Sequence, residues 1–101
     1  MTDSMPDLGP DKSLLVVDDD EPFRRRLARA MEKRGFEVVM AESVAQGLTQ
    51  VRTQPPAYAV VDLRLEDGNG LDVVETLRGV REDARIVVLT GYGAIATAVA
   101  A

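Results

Sequence analysis

The chain of 101 residues contains no cysteine and no histidine. These absences exclude disulfide frameworks, zinc fingers, thiol nucleophiles and acid–base catalysis by histidine. Basic residues are also in deficit, since 12 Lys and Arg against 17 Asp and Glu leave a formal net charge of −5. This balance argues against direct binding of nucleic acid. No apolar run approaches the roughly 18 to 20 residues that cross a bilayer, and residues 1–11 do not resemble a signal peptide. We therefore expect a cytoplasmic chain without membrane contact.

Length and apolar content predict a single folded domain. An apolar fraction of 46% is enough to form one hydrophobic core, and 101 residues are too few for two domains. Residues 1–12 are polar and contain Pro6, Gly9 and Pro10, which is typical of a flexible lead. The folded domain is accordingly expected over residues 13–101.

Short apolar runs predict four strands, at residues 13–17, 37–41, 57–61 and 85–89. Most of these runs are continuous and rich in β-branched residues, as in strands of a parallel sheet that are buried on both faces. The second run begins with Glu37 and is more polar. It therefore suits an edge strand.

Apolar residues at helical spacing predict helices between the strands. The first covers residues 22–34, capped by Asp20 or Glu21 and ended by Gly35, and the second follows Ser43 and stops before Pro55. The third covers residues 71–80, and the Ala-rich residues 94–101 predict the start of a fourth. The order βαβαβαβα predicts an α/β fold with a doubly wound parallel sheet.

Acidic residues stand where the predicted strands end. Four of them, Asp18 to Glu21, follow the first strand, Asp62 ends the third and Thr90 follows the fourth. Parallel topology brings these positions to the same end of the sheet. Converging carboxylates repel one another, and Mg²⁺, which prefers oxygen ligands, would relieve that repulsion. A carboxylate beside the metal can attack phosphorus to form an aspartyl phosphate, whose charge the metal neutralises.

Simpler explanations exist for each feature taken alone. The acid run can cap the first helix, Thr90 can cap the next one, and residues 66–70 can be a plain flexible turn. The occurrence of acids after two separate strands is what favours the metal site. The four arginines of the first helix form either a solvated face or a docking surface for an acidic partner; they are Arg24, Arg25, Arg26 and Arg29.

Four segments in order carry a family resemblance: LLVVDDD at 14–20, AVVDLRL at 59–65, DGNGL at 67–71 and VVLTG at 87–91. With them the sequence resembles the receiver domain of two-component response regulators, which has a flavodoxin-like or CheY-like fold. The longer segments 29–36, 63–74 and 85–101 resemble the PrrA/RegA/ActR group of redox-responsive transcription regulators. The resemblance covers residues 13–101.

The resemblance implies a role for each residue that matches the family motif. Asp62 matches the phosphoacceptor, which takes a phosphoryl group from a histidine kinase. Asp18, Asp19 and Asp62 match the Mg²⁺ ligands, joined by the backbone carbonyl of Arg64. Thr90 matches the hydroxyl residue that responds to phosphorylation, and Asp20 is an additional acid that we assign to capping.

The chain also departs from the family pattern. A complete receiver has a fifth βα unit, whose strand ends in a lysine that pairs with the phosphoryl group; Lys12 and Lys33 lie elsewhere. The resemblance therefore implies a receiver truncated after four of five units, without the DNA-binding domain and with weak or no phosphorylation switching. We expect residues 86–89 to form an exposed edge, through which the chain forms a homodimer or exchanges elements.

Two other functions fit parts of the sequence. A Mg²⁺-dependent phosphohydrolase could use Asp62 as its nucleophile, although haloacid-dehalogenase-like phosphatases carry a second Asp where Arg64 stands here. A non-catalytic interaction module is the other alternative. We predict a signalling phosphoacceptor that transfers the phosphoryl group only to itself and is not otherwise an enzyme.

Overall fold

The computed structural model describes residues 10–90 with their side chains and the backbone of residues 95–99. Residues 1–9 of the predicted lead lie outside the described residues, and the domain boundary stays a prediction. The elements are, in chain order, β1 (Ser13–Val17), α1 (Glu21–Lys33), β2 (Glu37–Ala41), α2 (Val44–Thr53), β3 (Tyr58–Asp62), β4 (Arg64–Leu65), β5 (Gly68–Asn69), α3 (Leu71–Val80), β6 (Arg85–Leu89) and β7 (Ile95–Val99).

The main sheet has the strand order β2-β1-β3-β6-β7, and its first four strands run parallel. Helices α2 and α3 pack over one face, on a core that includes Leu15, Val61 and Leu77. Helix α1 covers β1 and β2 on the other face, where Leu14 and Val16 are buried. The predicted doubly wound parallel sheet is confirmed, because runs buried on both faces need helices on both sides.

The predicted edge strand and helix caps are confirmed. Strand β2 lies at the sheet edge, with Met40 46% exposed. The Asp20 carboxylate accepts a hydrogen bond from the backbone N–H of Phe23 at 3.2 Å, and the Ser43 hydroxyl accepts one from Gln46. Gly35 has φ of 96°, the left-handed conformation that ends α1.

The predicted fourth helix is wrong in the part of the tail that the structure describes. Ile95–Val99 form β7, which pairs antiparallel with β6 over five residue pairs. A helix of eight residues is marginal on its own, whereas β6 offers a row of backbone groups that a neighbouring strand can satisfy. Pairing with that edge outweighs the helix propensity of the alanines.

The exposed edge expected at residues 86–89 is therefore wrong as well. Strand β6 pairs with β3 on one side and β7 on the other. Among the described residues, the outer strands of the main sheet are β2 and β7.

At the amino end of the sheet, Arg81 joins three segments of the chain. Its guanidinium donates to the Asp11 carboxylate at 2.7 Å and to the carbonyl of Pro55 at 3.0 Å. Asp11 also accepts from the backbone N–H and the hydroxyl of Ser13, and that hydroxyl accepts from the N–H of Ala57. This network ties the end of α3 to the starts of β1 and β3.

Across the described part of the chain, the helices are too short and too polar for any of them to traverse a bilayer.

Candidate metal and phosphoacceptor site

Three carboxylates meet at the carboxyl end of the parallel strands. Asp18 directly follows β1 and Asp62 ends β3, and these strands are neighbours with Val17 opposite Val61. One carboxylate oxygen from each of Asp18, Asp19 and Asp62 lies within 4.8 Å of the others. The structure thus brings together three acids that the sequence places at the ends of two separate strands.

The cluster combines burial with like charge. The residues Asp18 and Asp62 are only 5% and 9% exposed, whereas Asp19 is exposed. Burial raises the pKa of Asp18 and of Asp62 above the ordinary value. Repulsion from Asp62 and Asp19 raises the pKa of Asp18 further, and repulsion from Asp19 does the same for Asp62. A bound cation would offset both the cost of burying these anions and the repulsion between them.

Backbone hydrogen bonds hold Asp18 in place. Its Oδ1 accepts from the N–H of Asp20 at 2.9 Å, and this bond opposes the rise in its pKa. The guanidinium of Arg24, on the first turn of α1, donates to the carbonyl of Asp18 at 2.8 Å. Because the Asp20 carboxylate caps α1, it is engaged outside the cluster.

Asp62 is held by the segment that follows it. Its Oδ1 accepts a hydrogen bond from the backbone N–H of Arg64 at 3.1 Å. Gly70 packs directly on the Asp62 main chain, and a Cβ there would collide with the carbonyl oxygen of Asp62 and approach Val61 Cγ1 to 2.9 Å. A side chain at position 70 would therefore not fit. From the sequence alone, Gly70 is explained only as a residue that favours turns.

The other predicted site residues lie at the same end of the sheet. Thr90 is half-buried and directly follows β6, whose Leu89 is the sheet partner of Asp62. Leu63 donates its backbone N–H to the carbonyl of Leu89 at 3.0 Å, which joins the two strand ends. Arg64 has an exposed side chain and lies two residues after Asp62, at the start of β4.

The segment after Asp62 is more ordered than the flexible turn expected from its composition. Strands β4 and β5 pair as a small antiparallel hairpin. At its turn, Asp67 accepts hydrogen bonds from the backbone N–H groups of Val44 and Ala45. No local sequence signal identifies this contact, because its partners lie 22 and 23 residues away along the chain.

The donor set fits a hard divalent cation. Mg²⁺ takes oxygen ligands and is commonly held by one or two carboxylates together with waters and phosphate oxygens. The three clustered acids supply carboxylate oxygens only, and two of them carry the cost of burial as anions. Exposed Asp19 leaves the cluster open to solvent on one side.

Known proteins resemble this chain in sequence and fold. RegA, a photosynthetic apparatus regulatory protein of Rhodovulum sulfidophilum, is 76% identical over 94% of the chain and 52% of its own length. ActR, an acid tolerance regulatory protein of Rhizobium meliloti, is 67% identical over 91% of the chain and 47% of its own. The chain thus spans about half the length of these curated relatives.

A solved structure shares the fold. The crystal structure of a response regulator from Burkholderia pseudomallei, with a phosphorylated aspartic acid, calcium ion and citrate, superposes with a TM-score of 0.76 at 39% identity. The match covers 83% of this chain and 49% of that one. The model of the response regulator receiver domain family matches residues 14–101. Its span includes the whole acidic cluster, both faces of the sheet and the hairpin after Asp62, and the chain therefore belongs to the response regulator receiver domain family.

Proposed function

We propose that Asp62 accepts a phosphoryl group and that Asp18, Asp19 and Asp62, with the backbone carbonyl of Arg64, hold the Mg²⁺ ion that the transfer needs. The observation that carries this proposal is the convergence of the three carboxylates within 4.8 Å. Family membership supports it, as does the crystal structure of the Burkholderia pseudomallei protein, which contains a phosphorylated aspartic acid and a calcium ion.

The reaction is a self-transfer of the phosphoryl group. A carboxylate oxygen of Asp62 forms a bond to phosphorus while the bond between phosphorus and the donor breaks, and the donor leaves with the electron pair. With a phosphohistidine donor the leaving group is an imidazole, which takes a proton from solvent. Bound Mg²⁺ would neutralise the charge on the phosphoryl oxygens.

The residues around Asp62 have separate tasks in this scheme. The Arg64 N–H holds one carboxylate oxygen, which leaves the other for attack. Thr90, at the end of β6, would donate its hydroxyl to the phosphoryl group and so report phosphorylation to the rest of the molecule. Asp18 and Asp19 would attract the cation, Asp19 as a direct ligand and Asp18 largely through water.

Family membership supports the partner and the cellular context that we propose. We propose a histidine kinase as the phosphodonor and a parent protein that regulates transcription in the cytoplasm, through a DNA-binding part, in response to redox state. The relatives, about twice as long as the chain, are named as regulatory proteins. Self-association as a dimer or by exchange of elements also stays a proposal.

The direct test is covalent labelling. The chain is incubated with Mg²⁺ and acetyl phosphate, and its intact mass is measured beside that of Asp62→Asn. We expect the parent chain to gain one phosphoryl group and the variant to gain none, since an amide is a poor nucleophile. Asp20→Asn is the matched control, because it removes a neighbouring charge and preserves a capping side chain. Equal labelling of Asp62→Asn and the parent would refute Asp62 as the acceptor.

A further inference from the structure

The turn of the β4–β5 hairpin is fastened to a helix that lies far away in sequence. Asp67 Oδ1 accepts from the N–H of Val44 at 2.9 Å, and Oδ2 accepts from the N–H of Ala45 at 3.1 Å. Both donors belong to the first turn of α2. One carboxylate therefore bridges the segment after Asp62 and the amino end of α2.

The contact is chemically well matched. The first N–H groups of a helix have no partners within the helix, and a negative charge is stabilised there. Ser43 satisfies the N–H of Gln46, while Asp67 satisfies those of Val44 and Ala45. These two backbone hydrogen bonds lower the pKa of Asp67, so its carboxylate is ionised at neutral pH.

The β4–β5 hairpin connects the contact between Asp67 and α2 to the phosphoacceptor Asp62. Asp67 occupies the turn between β4 and β5, and Leu65 in β4 is buried in the core. Arg64, the first residue of β4, donates the N–H that holds Asp62 Oδ1. The carboxylate of Asp62 is thus oriented by a backbone segment whose far end is bound to α2.

We propose that Asp67 is a positioning residue, which fixes the hairpin on α2 and so aims the N–H and carbonyl of Arg64 at the Asp62 site. This inference rests on the proposed function, because it assigns Asp67 to the same reaction. Asp67 itself binds α2 through two hydrogen bonds and has no direct part in the proposed transfer.

The test compares two variants that weaken the same helix end. Asp67→Ala removes the bonds to Val44 and Ala45, and Ser43→Ala removes the bond to Gln46, which has no link to the hairpin. Thermal unfolding should show that both variants fold and are destabilised. Only Asp67→Ala should slow phosphoryl gain from acetyl phosphate and raise the Kd for Mg²⁺, each by about tenfold. Effects of this size are typical when a residue that positions a metal ligand is lost.

A conservative variant separates positioning from stability. Asp67→Asn keeps one oxygen that can accept from Val44 or Ala45, and it should recover part of both the labelling rate and the Mg²⁺ affinity. If Asp67→Ala matches Ser43→Ala in rate and in Kd, the positioning role is refuted. A parent chain that binds Mg²⁺ but never labels refutes the proposed function instead, and the Kd values still decide the role of Asp67. A parent chain that does neither refutes both.

Discussion

At the residue scale, the acidic cluster at the strand ends lowers the stability of the folded chain in the absence of a cation, because its carboxylates are buried and repel one another. Burial and repulsion raise the pKa of Asp18, so the folded chain binds a proton there more readily than the unfolded chain does. Without divalent cations, stability therefore rises as pH falls through this raised pKa towards the ordinary value of 3.8, and at neutral pH the ionised group is a cost.

Asp18→Asn removes that cost and keeps an oxygen that can accept from Asp20. We expect the variant to be more stable than the parent at pH 7 in EDTA, and to gain less Tm on addition of Mg²⁺. Thermal unfolding in EDTA and in Mg²⁺ measures both effects. Asp20→Asn, with its capping side chain in the exposed loop, should show much smaller changes. Equal stabilisation of Asp18→Asn and the parent by Mg²⁺ would exclude Asp18 from the cation site.

Sequence alone predicted which acids meet, since strand ends of a parallel sheet share one side. It did not predict what holds them. Asp67 caps a helix whose start lies more than twenty residues away, and Gly70 is required by contact with the main chain of Asp62. Both depend on how the hairpin packs, which is a tertiary property with no local pattern.

At the element scale, Arg81 fastens α3 to the amino ends of β1 and β3. Arg81→Ala should lower the free energy of unfolding by about 1 kcal/mol at pH 7, because two hydrogen bonds to a quarter-exposed side chain are lost. Hydrogen bonds from Ser13, and then from Arg81, lower the pKa of Asp11 to about 2. That stabilisation is complete above 3.8 and is lost as pH falls towards 2.

The difference between the parent and Arg81→Ala should accordingly shrink between pH 4 and pH 2, in urea unfolding at a series of pH values. Arg78→Ala is the control, since Arg78 is an exposed residue in the last turn of α3. A difference that stays constant over this range would show that Arg81 acts without the Asp11 carboxylate.

Strand pairing also explains why the predicted fourth helix at residues 94–101 is wrong for residues 95–99. Residues 95–99 alternate β-branched residues with alanine, a period of two that also fits a strand. The alanines favour a helix when only local propensity is weighed. What decides between them is the edge of β6, whose backbone pairs with all five residues of β7, and the edge is visible only once the sheet is assembled.

At the scale of the whole molecule, β7 determines which strand forms this edge of the sheet, because β7 is the outer strand and covers the more apolar β6. Opposed residues of an antiparallel pair alternate between hydrogen-bonded and non-bonded pairs, so prolines at both Ala96 and Thr97 remove a ladder N–H whichever position is bonded. Detachment of β7 would leave β6 as a template for pairing with a second chain. We expect Ala96→Pro/Thr97→Pro to self-associate at lower concentration than the parent in sedimentation velocity.

A control for this variant is Ala45→Ser, an exposed change on α2 away from β7, which should sediment like the parent. Labelling of Asp62 separates loss of the edge from loss of the fold, because the acidic cluster lies at the ends of β1 and β3, and β6 lies between β3 and β7 in the sheet. A double-proline variant that labels normally and sediments as the parent does would mean that pairing with β7 does not protect the edge of β6. Association with labelling preserved would instead locate the control of oligomeric state in this one strand.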